Sequence, residues 1–117
     1  MTKQAAHPGS NARHVSLVAL PDAVVSTLFG IFDVMNAFAL MGMPHASARA
    51  PFHIEIVGEK PGPLELASGV PINVQRAIDE IETTDIVIVP SVLLRPEGWV
   101  KGRYPALVDW LRAMHAR

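Results

Sequence analysis

The 117-residue chain contains no cysteine. Disulfide scaffolds, thiolate zinc sites and a cysteine nucleophile are therefore excluded within these residues. Charge is scarce as well: Lys, Arg, Asp and Glu make up 18% of the sequence, against roughly 25% in an average soluble domain. The 10 Lys+Arg nearly cancel the 11 Asp+Glu, leaving a formal charge of −1. No basic field is available to neutralise a phosphate backbone, so these residues alone make a poor nucleic-acid binder. A long uncharged run is also missing. Residues 24–43 are oily, but Ser26, Thr27, Asp33 and Asn36 interrupt them, and a buried helix fits better than a membrane span. The apolar run at 15–20 is too short, and Pro21-Asp22 follows it too soon, for a secretory segment. A cytoplasmic protein without membrane contact is expected. What the chain has in quantity is hydrophobic side chains, 50% of all residues, which excludes disorder and demands a large covered surface.

One domain and one modest core fit this length. Residues 1–13 carry Pro8, Gly9, Ser10 and Asn11 and read as a flexible tail, with the domain proper at 14–117. The run at 15–20 is apolar on both faces, as in a strand covered by helices on both sides. Pro21-Asp22 then offers a turn and a capping carboxylate. Leu28, Phe32, Met35 and Ala39 recur at helical spacing, widened by Ile31, Phe38 and Leu40, which predicts a helix over about 24–40 that stops at Gly42. Its apolar stripe exceeds one face, so a partner subunit or the other half of a domain is expected to cover it.

Residues 52–57 predict a second strand, followed by the turn-rich 58–62. Leu64-Glu65-Leu66 and 70–74, parted by Ser68-Gly69, read as a small hairpin, with Pro71 placing its arm at an edge. Residues 76–81 suggest about two helical turns. The run Asp85-Ile86-Val87-Ile88-Val89, ending at Pro90, reads as another doubly covered parallel strand. A loop over 91–103 leads to an amphipathic helix over 104–116, with Leu107, Val108, Leu111 and Met114 on one side. Strands alternating with helices indicate a mostly parallel sheet with right-handed crossovers. The last helix runs to Arg117 with no following strand, so the chain reads as a domain cut in mid-fold, which alone is expected to dimerise or aggregate.

The five histidines, at 7, 14, 45, 53 and 115, have neither i,i+4 nor HxH spacing, so no metal site is expected. His53 reads as a pleat-facing or edge residue of its strand. The stretch Gly58-Glu59-Lys60-Pro61-Gly62-Pro63 lacks the glycine spacing that aims backbone N–H groups at phosphates, and reads as a plain turn; no cofactor is expected. In open parallel sheets ligands bind at the carboxyl ends of strands. That rule singles out 20–22 with the early helix bearing Ser26, Thr27 and Gly30, and Pro90-Ser91-Val92, both on the same sheet edge. On residue type alone, Thr27 bonding back to its own helix and Ser91 capping a turn are the simpler roles.

A family resemblance joins these pieces. The segments His14-Val15-Ser16-Leu17-Val18-Ala19-Leu20-Pro21, Gly30 with Phe32-Asp33-Val34, Ile54-Glu55-Ile56-Val57-Gly58, Ala67-Ser68-Gly69-Val70-Pro71-Ile72, Asp85-Ile86-Val87-Ile88-Val89-Pro90 and Leu107-Val108-Asp109-Trp110-Leu111 together resemble the ThiJ/PfpI (class I amidotransferase-like) superfamily. In combination they look most like the N-terminal sensor domain of AraC-type transcription regulators, the GlxA-like group. The resemblance implies an α/β, flavodoxin-like or Rossmann-like sandwich with a mostly parallel sheet. It also implies a homodimer, an unidentified small-molecule effector, and DNA reading only through a C-terminal helix-turn-helix pair that these residues do not include. The family's nucleophile elbow would fall just after Arg117. Its first-helix acidic residue aligns with Thr27, which can only make a neutral hydrogen bond and cannot tune a thiolate. The family's Pro-Gly-Gly aligns with Pro90-Ser91-Val92, with less backbone freedom. The expectation is a non-catalytic ligand-sensing and dimerising domain with Thr27, Ser91 and Val92 at its ligand site. The alternative is a fragment of a stand-alone ThiJ/PfpI-type hydrolase, hydratase or amidotransferase relative, its cysteine supplied beyond Arg117.

Overall fold

The computed structural model describes residues 12–41, 51–94, 96–98 and 100–117, without the side chains of 38–40. The expected tail and the helix stop at Gly42 fall largely or wholly outside the described residues. Among these residues six strands and two helices follow in order: β1 (Arg13–Val18), α1 (Val25–Met41), β2 (Phe52–Gly58), β3 (Gly62–Glu65), β4 (Pro71–Val74), β5 (Arg76–Ala77), β6 (Ile86–Ile88) and α2 (Pro105–His115), with a 3-10 turn at Ile78–Glu80. The main sheet has the order β5-β2-β1-β6, and all its pairings are parallel. With β1 between β2 and β6, this is the start of the doubly wound 2-1-3 arrangement of flavodoxin-like folds. The hairpin β3-β4 forms a separate antiparallel sheet.

Register explains how one sheet serves two cores. Val15, Leu17 and Ala19 of β1 and its exit, with Ile54 and Ile56 of β2, pack with Leu28 of α1 and with Leu66, Ile72 and Val74 of the hairpin segment. The alternate residues Val18, Leu20 and Val57 pack on the other face with Ile78, Ile81, and Leu107 and Trp110 of α2. The Trp110 indole N–H donates to the Ile81 carbonyl at 3.2 Å, fixing α2 to the segment after the 3-10 turn. Strands apolar on both faces thus form because each face has its own cover. On α1, Phe29, Ile31, Phe32 and Met35 are only partly buried and Val34 is 68% exposed, so its apolar surface exceeds what its own sheet covers.

Three expectations need correction. Residues 76–81 are not two helical turns. The Gln75 N–H donates to the Ile56 carbonyl and the Gln75 side chain accepts from the Ile56 N–H, carrying Arg76 and Ala77 into register beside Val57 and Gly58. Only Ile78–Glu80 can coil, and the Glu80 carboxylate accepts the Ala77 N–H at 3.2 Å. Next, β6 is parallel to β1 as expected and meets a core on each face, but the cover is partial. Its one strand neighbour among the described residues is β1, Val87 and Ile88 each reach one core, and Ile86 and Val89 stay exposed. Finally, Val108 faces outward from α2 and Trp110 takes the inner position beside Leu107, because the larger ring fills the space over Ile81.

Candidate functional site

The carboxyl ends of β1, β2 and β6 lie together, and the chain beyond β1 is tied to the chain beyond β6. The Ser91 carbonyl accepts the Val24 N–H at 2.8 Å, and the Asp22 carbonyl accepts the Leu93 N–H at 2.7 Å. Between these bonds Ala23 and Val92 form an isolated antiparallel bridge. Thr27 donates its hydroxyl to the Val24 carbonyl at 2.9 Å. Thr27, Ser91 and Val92 therefore do gather on one edge, each one step from the 22–24 turn. The Ser91 carbonyl is spent on this tie and its side chain is exposed, while Thr27 also borders a shallow apolar groove on α1 with Gly30 and Val34.

On the other flank of β1 the same turn carries an ion pair between the buried Asp22 and the half-buried Arg103. Asp22 is 2% exposed. Its Oδ2 accepts from Arg103 Nε at 2.6 Å and from the Tyr104 hydroxyl at 2.5 Å, and Arg103 Nε also reaches the Tyr104 oxygen at 3.1 Å. Burial pushes the Tyr104 hydroxyl above its ordinary value of 10.0, and the bond to Asp22 pushes the same way while Arg103 opposes. Hydrogen bonds to Tyr104 and then to Asp22 hold the Arg103 guanidinium above its ordinary range. A buried carboxylate needs such partners. Here they pin the loop before α2 to the exit of β1. Sequence reasoning took Asp22 as a turn and cap residue; its partners lie 81 and 82 positions away, with no local spacing to reveal them.

Beside this latch is a cavity of about 190 Å³ at the ends of β1 and β2. Val18, Leu20, Leu64, Val74, Ile78 and Leu107 supply apolar walls, the Tyr104 side forms another part, and Glu59 and Lys60 stand at the lining with exposed side chains. Gly58 belongs to the same wall: a Cβ there would meet the Val74 methyls at 3.2 and 3.3 Å, so a side chain at position 58 would require the hairpin side to give by a few tenths of an ångström. The stretch 58–63, read as a plain turn, is thus also one wall of a cavity.

At the opposite, amino-terminal end of the sheet, a polar network crosses the α2 face. His14 Nε2 lies 2.5 Å from Glu55 Oε1, and His14 Nδ1 lies 2.7 Å from Thr84 Oγ1. Arg76 Nη2 reaches the same Glu55 oxygen at 3.0 Å. With Nε2–H donating to Glu55, Nδ1 accepts the Thr84 hydroxyl. The order Thr84–His14–Glu55 resembles a nucleophile relay, but the Thr84 oxygen is hemmed in by Ser16 Oγ at 2.9 Å and by the His14 and Ile86 carbonyls at 3.3 Å. Its role is structural. His53 is exposed at this edge, its ring centroid 5.7 Å from that of His14. Among the described residues no group of three or more His, Asp or Glu could hold a metal ion, and no helix is long and apolar enough to cross a membrane.

No protein-family model matches the chain, and no curated protein does. Solved structures do match. A protein from Vibrio parahaemolyticus described as a transcriptional regulator superposes with a TM-score of 0.64 at 19% identity, over 89% of this chain and 51% of its own. An AraC family transcriptional regulator from Pseudomonas putida gives a TM-score of 0.54 at 13% identity, over 89% of this chain and 60% of its own. The chain shares their fold. It spans between about half and three-fifths of their lengths. A DJ-1 superfamily protein from Agrobacterium tumefaciens superposes with a TM-score of only 0.41 and carries no weight here.

Proposed function

We propose that these residues form the front part of the ligand-sensing, dimer-forming domain of an AraC-type transcription regulator, and that they catalyse nothing. The observation that carries this is the fold shared with two regulators along nearly the whole chain. Thr27 supports it: a hydroxyl bonded back to its own helix cannot share a proton with a thiolate. Such a regulator acts in the cytoplasm, as a homodimer, and reads DNA through a helix-turn-helix segment outside these residues.

The proposed effector is a small molecule met at the carboxyl ends of the strands. On one flank of β1 stand Thr27, Ser91 and Val92, on the other the cavity, and Asp22 joins them: its backbone holds Leu93 and its carboxylate holds Arg103 and Tyr104. An occupant that shifts Tyr104 therefore biases the 91–93 segment and the β6 edge, and so the population of dimer geometries. The test is a gel shift with the full-length protein and the DNA upstream of its own and neighbouring genes. Retarded DNA is expected; no retardation at any of these sequences, at low salt, overturns the regulator assignment.

A further inference from the structure

The cavity on the β2 flank has a size, a lining and a mouth that together select a ligand class. Cavities of about 150 Å³ with apolar walls stay dry and take a guest the size of benzene. At about 190 Å³ this one admits a slightly larger body. Its walls come from β1, β2, the hairpin, the 3-10 turn and α2 and are mostly aliphatic, with Tyr104 on one side. At the lining stand two adjacent side chains of opposite charge, Glu59 and Lys60. Both are exposed, and neither has an ion pair or hydrogen bond among the described residues.

We propose that this cavity binds a compact zwitterion with an apolar body, the chemistry of an apolar α-amino acid: the body fills the space between β1, β2, the hairpin and α2, the ligand's ammonium faces Glu59 and its carboxylate faces Lys60. A simple acid would meet repulsion from Glu59, and a simple amine from Lys60; only a head with both charges uses both residues. The body contacts Tyr104 and Leu107, so binding braces the start of α2. This deepens the sensing part of the proposed function, but binding is read without DNA, so the two can fail separately.

The test is titration calorimetry on the full-length protein with L-leucine and L-phenylalanine, and with glycine, 4-methylpentanoate and 3-methylbutylamine as controls. Saturable binding of leucine or phenylalanine is expected, with glycine about a hundredfold weaker for want of four buried carbons. The acid and the amine should each bind several-fold more weakly than leucine. The charge reversals Lys60→Glu and Glu59→Lys, on exposed side chains that do not threaten folding, should each weaken leucine by about threefold to fivefold. Leu64→Trp, which fills the cavity, should abolish binding. No saturable binding of either amino acid overturns the proposal, as does equal affinity for 4-methylpentanoate or 3-methylbutylamine. Undiminished leucine binding by a folded Leu64→Trp protein overturns the location.

Discussion

The two faces of the main sheet are held by different physics. Facing α1 and the hairpin, Val15, Leu17, Ile54 and Ile56 form an unbroken apolar layer. Facing α2, the carboxyl half is equally apolar, with Val18, Val57 and Trp110, but the amino half is a network of His14, Ser16, Glu55, Arg76 and Thr84. Apolar burial is insensitive to pH and tolerant of small shifts. A polar network at partial burial depends on geometry, because each stranded group loses its solvation without compensation. The α1 face supplies bulk stability; the α2 face sets how the elements are oriented at either end.

That contrast breaks first at Leu17. It is fully buried on the α1 face, and Leu17→Ala is expected to cost about 3 kcal/mol by chemical denaturation, the usual range for a core leucine. A loss below about 1 kcal/mol would mean that this face is not the main source of stability. Asp22→Ala comes next. Removing the acceptor that Arg103 and Tyr104 share should cost about 2 kcal/mol and, unlike Leu17→Ala, should speed proteolysis selectively in the 91–104 loop. Cleavage spread evenly along the chain would show that Asp22 is no latch.

Glu55→Gln tests the polar half of the α2 face and should cost about 1 to 2 kcal/mol, with His14 and Arg76 losing their common anion. A neutral outcome would reduce that network to decoration. A smaller effect is expected from alkali. Because the folded protein holds Tyr104 above its ordinary value, the unfolded chain ionises first as pH rises past about 10, so stability is full below that value and falls above it. Tyr104→Phe should abolish that fall. Since the sequence has a single tyrosine, ultraviolet titration reads this group directly. Smallest of all, Arg13→Ala should change stability by less than about 0.5 kcal/mol, since its 3.8 Å pair with Asp85 is solvent-exposed.

How much of this was legible in the sequence follows the range of the forces involved. β1, β2, the hairpin and both helices could be read because periodicity and turn residues act within a few positions, and the parallel order followed from their alternation. Residues 76–81 misled because Ala77, Ile78 and Ile81 are buried at a spacing that also suits a helix, while the bonds that hold the segment extended come from Ile56, on another strand. The site was legible by place and not by content. The strand-end rule brought Thr27, Ser91 and Val92 to one edge beside the 22–24 turn. It could not see Arg103 and Tyr104 closing on Asp22, or 58–60 and Leu107 enclosing a cavity, because those contacts join residues far apart in sequence.

At Gly69 and Gly58 an added methyl meets unrelated obstacles, and the obstacles have different cures. Gly69 has open space around it but a φ of 92°, so what it refuses is handedness: a D-alanine, whose mirror-image preference lies at positive φ, should fit where the L-enantiomer strains. Gly58 refuses a neighbour. There the crowding atoms are the methyls of Val74, and trimming them with Val74→Ala should make Gly58→Ala less harmful than it is alone, a coupling between the strand end and the hairpin that inverted chirality at position 69 could never produce.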